Sequence, residues 1–283
     1  MILEAHAKVN LTLEVLGVRD DGFHEIRSVV MPVSLFDTID VSATCDGVVE
    51  SDSGFPDDLC AHAACVLRAE LAGRCGDAAM RLGARISVAK RIPSGGGLGG
   101  GSADAAATLS ALNSLWDVGL SRKELAMLGA RVGSDVPSLA FGGAVVMEGR
   151  GERVSHLPFA APKLHFVLAN PGVPSSTAQV YAACRAQGEG RPSATAAMLS
   201  ALKSGDLGEI AAAMSNDLHS AAAALRPEIA AAADALSAAG ARGVMSSGSG
   251  STVFGLVESE REGREVAAKV AAAGLWAMHT CSV

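Results

Sequence analysis

The chain has 283 residues, which is enough for one large or two modest domains with buried cores. Its formal net charge of −7 and its aromatic content of only 4% argue against nucleic-acid partners, because those need basic surfaces and stacking side chains. Apolar runs stay well below the ~20 residues of a membrane-spanning helix and no signal-peptide pattern opens the chain, so we expect a cytoplasmic protein without a membrane partner.

Strands are predicted over most of the first 50 residues. Leu11, Leu13 and Val15 alternate with polar neighbours, which is the period of a half-buried strand. An Asp-Gly pair predicts a turn at 19–24. Beyond it we predict, in chain order, strands over 26–33 and 38–43, a helix over 57–71 with Asp57 as its N-cap, and a strand over 84–90.

A glycine-rich stretch at 92–107 follows this last strand and leads into a predicted helix over 102–116. It has six glycines in seven positions, and we expect Ser102 to cap the helix. Glycines let main-chain N–H groups converge on an anion and a helix N-terminus adds donors, so this order favours a phosphate site. A flexible loop is the ordinary alternative. The stretch lacks the Gly-Lys-Ser/Thr of a P-loop and matches a dinucleotide-binding fingerprint only loosely.

The rest of the chain mixes helices and strands without regular alternation. A capping box at Ser121–Glu124 predicts a helix over 121–132, and a strand over 143–148 leads to a turn at 149–151. Two prolines and the lack of a pattern place a domain boundary within 156–163. After it we predict strands over 164–170, 242–245, 252–257 and 275–281, and helices over 176–186, 194–204, 206–225 with a break near Asn216, 227–239 and 261–273. This arrangement favours an α+β fold over a doubly wound parallel sheet.

Three further features are candidates for chemistry. Lys8 and Asn10 lie two residues apart on a strand and hence on one face, although a strand lysine is ordinarily a solvated edge residue. Asp135 lies in GSDVP, where an aspartate ordinarily serves only a helix-ending turn. The small-residue loop 246–251 either connects two strands tightly or forms a second anion-binding loop. Beside a phosphate loop, a lysine and a carboxylate supply what transfer of a phosphoryl group to a hydroxyl needs.

Three blocks resemble the three motifs of the GHMP kinase superfamily: AKVNL at 7–11, PSGGGLGGGSADAA at 93–106 and GSGSTVF at 248–254. Four more resemble one branch of it, the kinases of 4-diphosphocytidyl-2-C-methyl-D-erythritol in non-mevalonate isoprenoid biosynthesis: DDGFHEI at 20–26, LGGGSADAA at 98–106, GSDVP at 133–137 and NDLH at 216–219. The resemblance runs nearly from end to end. The ordered set is highly specific, whereas no single block is.

The resemblance implies an α+β, two-domain GHMP kinase fold with the active site in the cleft between the domains. Residues 1–158 would form an ATP-binding domain like ribosomal protein S5 domain 2, and residues 159–283 a ferredoxin-like domain. The implied reaction is phosphorylation by ATP of the 2-hydroxyl of the cytidine diphosphate-linked methylerythritol. Mg²⁺ is the second implied cofactor, and its direct ligands are left open. A monomer or weak homodimer is expected.

The resemblance also implies site residues. Asp135 matches the catalytic base, Lys8 matches its partner lysine, and Lys90 would lie near the adenosine. The residues that would wrap the ATP phosphates are Pro93, Ser94, Gly95, Gly96, Gly97, Leu98, Gly99, Gly100, Gly101, Ser102 and Ala103. The residues that would contact the substrate are Asn10, Phe23, His24, Thr177, Tyr181, Gly248, Ser249 and Gly250, with Phe23 and Tyr181 on the two faces of the cytosine and the main chain of His24 at its edge.

Two positions depart from the family pattern. Ala103 stands where a second serine usually follows the glycines, so one hydroxyl near the phosphates is missing. His219, in NDLH, stands where glutamate is frequent, and no role is assigned to it. Two alternatives stay open: a GHMP kinase for mevalonate or homoserine, and a nucleotide-binding member without catalysis. The DGFH segment argues against the first, since those substrates carry no base to stack, and intact Lys8 and Asp135 argue against the second.

Overall fold

Two β-sheets organise the molecule, as a computed structural model describing residues 1–54, 58–184 and 193–283 shows. The first sheet comprises β1 (Ile2–Val18), β2 (His24–Thr44), β3 (Val49–Ser51), β4 (Gly83–Ala89), β5 (Val145–Gly149), β6 (Arg153–His156) and β8 (Ser215–Asn216). The second comprises β7 (His165–Asn170), β9 (Arg242–Ser246), β10 (Val253–Val257) and β11 (Trp276–Cys281). The first sheet runs β3–β4–β2–β1–β8, and β5 joins it at β2 and carries β6.

Helices pack against both sheets, and the predicted α+β class is confirmed. They are α1 (Leu59–Cys75), a 3₁₀ helix (Gly76–Arg81), α2 (Gly100–Leu115), α3 (Arg122–Gly129), α4 (Val136–Phe141), α5 (Thr177–Ala183), α6 (Ala194–Ser204), α7 (Leu207–Ala213), α8 (His219–Leu225), α9 (Pro227–Ala239) and α10 (Glu260–Ala272). The capping box at Ser121–Glu124 is confirmed, and the break near Asn216 separates α7 from α8. The end of the helix predicted over 176–186 lies outside the described residues. Within the described ranges, none of these helices has the length and apolar content that crossing a membrane requires.

The pairing of β1 with β2 places two candidate residues in an inner strand. β1 lies between β2, which it meets antiparallel, and β8, which it meets parallel. The β1–β2 register shifts between His6 and Lys8 and again between Asn10 and Thr12. Such irregularities bend a strand and redirect its side chains. Lys8 has only 2% of its surface exposed, so the ordinary expectation of a solvated edge lysine is wrong here.

One continuous strand, β2, replaces the two strands predicted over 26–33 and 38–43. The polar residue Asp37 interrupted the sequence pattern, yet it is fully buried. Its Oδ1 atom accepts the main-chain N–H groups of Arg91 at 2.5 Å and Ile92 at 2.8 Å. A buried polar group with such partners does not interrupt a strand. Asp37 instead fastens β2 to the chain that enters the glycine stretch.

The first helices begin at different residues from those predicted. Gly99, with a left-handed φ of 70°, occupies the N-cap of α2, and no side chain caps this helix. The prediction that Ser102 is the N-cap is therefore wrong, because the glycines already make the turn into the helix three residues earlier. Ser102 lies instead in the first turn. Asp58 caps α1, and the predicted cap, Asp57, lies outside the described residues.

The second sheet has the order β11–β7–β10–β9, with every neighbouring pair antiparallel. Along the chain, β7 is followed by helices α5 to α9, with β8 of the first sheet between α7 and α8, and then by β9, β10, α10 and β11. Strand–helix–strand–strand–helix–strand with this antiparallel order is the ferredoxin-like arrangement. The fold expected for the second half is therefore confirmed.

The two sheets share a hydrophobic core. Phe166 and Phe254 of the second sheet pack in one buried cluster with Leu11 of β1 and Leu98 of the glycine stretch. The strand β8 belongs to the second half of the chain and yet completes the first sheet. The chain passes from one sheet to the other between β6 and β7, and the division at residue 158 remains a prediction. The glycine stretch lies where the two sheets meet.

Polar positions of β1 also face inward. The carboxylate of buried Glu14 accepts the N–H groups of Ala194 and Thr195 and the hydroxyl of Ser193, each at 3.1 Å, at the start of α6. Burial raises the pKa of Glu14, but these hydrogen bonds outweigh burial and bring the pKa below its usual value. Glu14 thus supplies the negative charge that stabilises this helix N-terminus. Alternation of polar and apolar residues along β1 did not reveal this.

Candidate active site

The glycine stretch between β4 and α2 forms a concave row of main-chain donors. Gly95, Gly97 and Gly99 have φ angles of 66°, 75° and 70°, and the residues between them lie outside this left-handed region. Such alternation turns successive N–H groups toward one side, which makes an anion-binding concavity. Residues with a Cβ would be strained at these angles, so this backbone conformation favours glycine at alternate positions.

The carbonyl groups of this stretch bind the rest of the protein. The carbonyl oxygen of Gly96 accepts the N–H of Thr252 at 3.0 Å, and that of Leu98 accepts the N–H of Lys8 at 3.0 Å. The carbonyl oxygen of Gly97 accepts the hydroxyl of Ser247 at 2.9 Å. Within the part of the chain that the structure describes, the N–H groups of residues 95–99 donate to no protein acceptor. The glycine stretch therefore binds the protein through its carbonyl groups and leaves its N–H groups available. Such N–H groups suit the oxygens of a phosphate.

Gly97 is the point at which the glycine stretch touches the loop 246–251. A Cβ built on Gly97 would stand 2.1 Å from the carbonyl oxygen of Ser247 and 2.8 Å from that of Gly250. No side chain fits at such distances. The loop 246–251 therefore does more than connect β9 to β10, because it also braces the glycine stretch at Gly97.

A pocket of about 380 Å³ opens along the glycine stretch. Lys90, Asp104 and Asp58 lie among its lining residues. The predicted phosphate-wrapping residues that line it are Pro93, Ser94, Gly95, Gly96, Gly97, Leu98, Gly99, Gly100, Gly101 and Ser102. The Lys90 ammonium lies 2.5 Å from Asp37 Oδ2 and 2.6 Å from Asp104 Oδ2. Two carboxylates thus share one ammonium, so Lys90 organises the pocket while leaving this cluster a net charge of about −1.

The charged groups of this cluster are stabilised to different degrees. Burial lowers the pKa of Lys90, but its hydrogen bonds to Asp104 and Asp37 outweigh burial and raise the pKa. Burial raises the pKa of Asp104 to about 6 against the opposing pull of Lys90. Asp104 is 3% exposed, and its Oδ1 atom has no hydrogen-bond partner among the described residues. Asp37 also receives two main-chain N–H groups, so Asp104 is the less stabilised carboxylate of the pair.

We expect Asp104→Asn to change how stability depends on pH. A carboxyl group whose pKa is higher in the folded chain binds its proton more tightly there, so its contribution to stability falls as pH rises through about 6. Relative to the parent, the variant's free energy of unfolding should therefore rise by about 1 kcal/mol between about pH 5 and about pH 7.5. Urea titrations at both pH values measure this. If the free energies of unfolding of parent and variant differ by the same amount at both pH values, the pKa of Asp104 is not raised. The control is Asp117→Asn, which makes the same change at an exposed position.

A second pocket, of about 710 Å³, shares Gly97 and Ser102 with the first. The predicted catalytic and substrate residues that line it are Lys8, Asn10, Phe23, His24, Asp135, Thr177, Tyr181, Gly248 and Ser249. These residues come from both halves of the chain, so the pocket exists only where the two sheets meet. The two cavities therefore lie on either side of one turn of the glycine stretch.

Lys8, Asn10 and Asp135 form a polar group in this second pocket. Lys8 Nζ lies 2.7 Å from Asn10 Oδ1 and 3.4 Å from Asp135 Oδ2. Asn10 in turn donates to Ser28 Oγ at 2.8 Å, which fixes the orientation of its amide. Asp135 occupies the N-cap position of α4, yet its side chain makes no capping hydrogen bond and is 32% exposed. The carboxylate is thus directed toward Lys8 and the pocket rather than toward its own helix.

Aromatic side chains line another part of this pocket. The His24 and Tyr181 rings lie 4.7 Å apart between centroids, at an interplanar angle of 39°. Phe23 is 47% exposed, and the Arg150 guanidinium lies 5.0 Å from the centre of its ring. Burial and the charge of Asp135 raise the pKa of Tyr181, so its hydroxyl stays protonated. Phe23 and Tyr181 face one cavity, and their placement on the two faces of a base remains a prediction.

The loop 246–251 is held by residues that the sequence motifs left without a role. Asn216 Nδ2 donates to the carbonyl oxygens of Ser246 at 2.8 Å and Gly248 at 2.7 Å. His219 Nδ1 accepts the N–H of Ser246 at 3.2 Å and lies 2.9 Å from its hydroxyl. Burial lowers the pKa of His219, which keeps the ring neutral and able to accept. The NDLH block therefore supports this loop from outside the pocket.

Three predicted ligand residues differ in how they relate to the pockets. Thr177 Oγ1 lies 2.9 Å from Ser249 Oγ, so it lines the second pocket as part of a hydroxyl pair. Gly250 lines neither pocket, since its α-carbon faces the buried side chain of Ile229. Ala103 lines neither pocket as well. Its methyl group is buried in the core beneath α2 and its N–H donates within the helix, so its replacement of serine leaves both cavities intact.

Comparison with known proteins agrees with this architecture. Residues 58–143 match the family model described as GHMP kinases N terminal domain, and residues 198–274 match GHMP kinases C terminal. A 4-diphosphocytidyl-2-C-methyl-D-erythritol kinase of Brevibacillus brevis is 41% identical over 265 residues, which are 91% of this chain and 88% of the relative.

Solved structures give the same result. A crystal structure of 4-(cytidine 5'-diphospho)-2C-methyl-D-erythritol kinase superposes with a TM-score of 0.81 and 35% identity, covering 100% of this chain and 99% of that one. Homoserine kinase from Cytophaga hutchinsonii superposes with a TM-score of 0.74 and 18% identity, covering 100% of this chain and 93% of that one. At this identity the similarity shows a shared fold alone. From the two family models and from relatives above 30% identity over nearly its whole length, the chain belongs to the GHMP kinase family.

Proposed function

We propose that this chain phosphorylates the 2-hydroxyl of 4-diphosphocytidyl-2-C-methyl-D-erythritol with ATP, a step of non-mevalonate isoprenoid precursor biosynthesis. The observation that carries the proposal is the pair of pockets that share Gly97 and Ser102. The donor-lined pocket suits the phosphates of ATP. The larger pocket combines aromatic side chains with a carboxylate–ammonium pair, which suits an acceptor that has a base at one end and a hydroxyl at the other.

In this proposal Asp135 accepts the proton of the substrate hydroxyl while the hydroxyl oxygen attacks the γ-phosphorus of ATP. A new oxygen–phosphorus bond forms, the bond from the γ-phosphorus to the bridging oxygen breaks, and ADP leaves. Lys8, with Nζ 3.4 Å from Asp135 Oδ2, holds the carboxylate in the pocket. The free N–H groups of residues 95–99 bind phosphate oxygens and stabilise their charge.

Magnesium is the second cofactor of the proposal. Among the residues that the structure describes, no group of three or more histidine, cysteine, aspartate or glutamate side chains is arranged to hold a metal ion. Kinases commonly bind Mg²⁺ through one or two protein oxygens together with the substrate phosphates. Ser102, which carries a hydroxyl and lines both pockets, is the residue that we expect to contribute a protein oxygen to it. When bound, the ion would neutralise phosphate charge.

The alternatives fit this pocket less well. Mevalonate and homoserine are small and carry no base, whereas the second pocket measures about 710 Å³ and includes Phe23, His24 and Tyr181. The similarity to homoserine kinase is limited to the fold. A nucleotide-binding protein without catalysis would not need the paired Lys8 and Asp135.

The test is release of ADP from ATP and Mg²⁺ with each of three acceptors supplied separately. We expect ADP, and a product heavier by one phosphoryl group, with the cytidylated methylerythritol alone. ADP release with only mevalonate or only homoserine would overturn the proposal. No ADP release with any acceptor would favour a nucleotide-binding protein without catalysis.

Phe23→Ala is expected to raise the KM for the cytidylated substrate by roughly tenfold or more, because stacking of an aromatic ring on a base contributes about 1–3 kcal/mol. The KM for ATP should stay near the parent value, since Phe23 lines only the second pocket. Steady-state kinetics with each substrate varied in turn measure both.

Phe36→Ala is a matched control for this variant. Arg91 lies 5.2 Å from the Phe36 ring centre, much as Arg150 lies over Phe23, but Phe36 lines neither pocket. The control should leave the KM for the cytidylated substrate unchanged. If Phe23→Ala behaves like the control, Phe23 does not stack on the base.

A further inference from the structure

The strands and turns near Phe23 carry four arginines, of which one differs from the rest. Arg19, Arg27 and Arg153 form ion pairs at 2.8 to 3.6 Å. Their partners are Asp21, Glu25, Glu148 and Glu152. Arg150 has no carboxylate within ion-pair distance among the described residues, and of the four it alone lines the second pocket. A positive charge without a protein counter-charge therefore faces this cavity.

Two contacts, one with a side chain and one with the main chain, fix the turn that carries Arg150. Its N–H donates to Glu152 at 2.6 Å. Gly151 has a φ of 121°, and a Cβ built on it would stand 2.2 Å from the carbonyl oxygen of Ser134. The turn thus rests directly on the residue before Asp135. The contact with Ser134 sets the position of the Arg150 main chain relative to Asp135.

On its other side Arg150 meets the aromatic part of the pocket, with its guanidinium 5.0 Å from the Phe23 ring centre. Arg150 therefore connects the part of the pocket predicted to hold the base with the part that holds Asp135. In a cytidylated alcohol the groups follow one another as base and ribose, diphosphate, and acceptor alcohol. We propose that Arg150 binds the diphosphate of the substrate, an inference that rests on the function proposed above.

The chemistry of this pocket supports the assignment. A diphosphate diester carries two negative charges, and a guanidinium group can donate two parallel N–H bonds to its oxygens. Lys8, the other lysine or arginine in the described lining, is already bound to Asn10 and paired with Asp135. The chain as a whole carries a formal charge of −7, so a local cation is needed to offset repulsion of an anionic substrate. Arg150 would thus select acceptors that carry a charged linker.

The test compares the binding of cytidine and CDP by isothermal titration calorimetry, with the ATP pocket saturated by a non-hydrolysable ATP analogue. The parent chain should bind CDP more tightly than cytidine. Arg150→Gln should lose roughly 10- to 100-fold in affinity for CDP and keep its affinity for cytidine within about twofold. Arg153→Gln is the matched control, because Arg153 is 58% exposed and paired with Glu25 outside the pocket lining.

Kinetics give a second readout. Arg150→Gln should raise the KM for the cytidylated substrate by a similar roughly 10- to 100-fold, with kcat and the KM for ATP near the parent values. Arg150→Lys keeps the positive charge but loses the paired N–H donors of the guanidinium, so its KM should fall between those of the parent and Arg150→Gln. Unchanged CDP affinity in Arg150→Gln, or equal losses for cytidine and CDP, would overturn the inference; equal losses would mean that Arg150 acts only through Phe23. A parent chain that neither binds CDP nor phosphorylates the substrate would overturn the proposed function itself, and this inference with it.

Discussion

Replacing Asp135 with asparagine is expected to lower kcat by roughly 10²- to 10⁴-fold, the usual contribution of a general base. Asparagine has nearly the shape of aspartate but cannot take up the proton of the substrate hydroxyl. The Asp135 side chain does not cap α4, so the substitution removes no hydrogen bond that the helix needs. The KM for ATP should change by less than about twofold, because Asp135 lines only the second pocket.

The measurement is steady-state turnover of the cytidylated substrate, with nucleotide affinity measured separately. Asp117→Asn makes the same chemical change in an exposed turn and should match the parent in both. Turnover of Asp135→Asn within a few-fold of the parent would show that another group accepts the proton. A large loss of ATP affinity would instead indicate that Asp135 acts mainly on the nucleotide.

Gly97→Ala is expected to be the most damaging substitution in the glycine stretch. Its φ of 75° disfavours any residue with a Cβ, and the new methyl group would meet the Ser247 carbonyl oxygen at 2.1 Å. The two loops must then separate at the point where the pockets join. We expect a loss of about 2–4 kcal/mol in the free energy of unfolding and little remaining binding of ATP.

Gly95→Ala separates the two causes of this effect. Gly95 has a similar φ of 66°, but its Cβ would lie 3.8 Å from the nearest atom, in Pro174, which is an ordinary contact. This variant should lose only about 1–2 kcal/mol. Thermal unfolding and nucleotide titration of both variants measure the difference. Equal losses would show that backbone conformation alone, and not contact between the loops, makes Gly97 necessary.

Local patterns predicted the parts of the candidate site better than its assembly. The glycine stretch was readable because its preceding strand and following helix have clear periodicities, and the class of fold followed from the order of elements. The burial of Lys8 was not readable, because its main chain is covered by Leu98 of the glycine stretch and by Ser247, which is 239 positions away. A pattern within ten residues carries no information about a partner so distant.

Other errors have equally physical causes. Ser102 has the side chain of a good N-cap, but Gly99 and its left-handed φ begin the helix first, which propensity rules rank as less favourable. His219 stood out only as a departure from the family pattern, and Arg150 had no signal in the sequence that separated it from ordinary surface residues. Their roles follow from what they face. His219 accepts the main-chain N–H of Ser246, and Arg150 lines the second pocket without a paired carboxylate among the described residues.

The bracing of the glycine stretch by the loop 246–251 has a consequence for protein synthesis. Lys8 and Ser247, whose hydroxyl lies 3.4 Å from the Lys8 carbonyl oxygen, are 239 residues apart in the chain. A ribosome delivers the glycine stretch and Lys8 early, but Ser247 and Thr252, which bind the carbonyls of Gly97 and Gly96, emerge near the end of synthesis. A nascent or prematurely terminated chain therefore carries an incomplete cradle. We therefore expect a chain that ends before residue 246 to lack a correctly held glycine stretch.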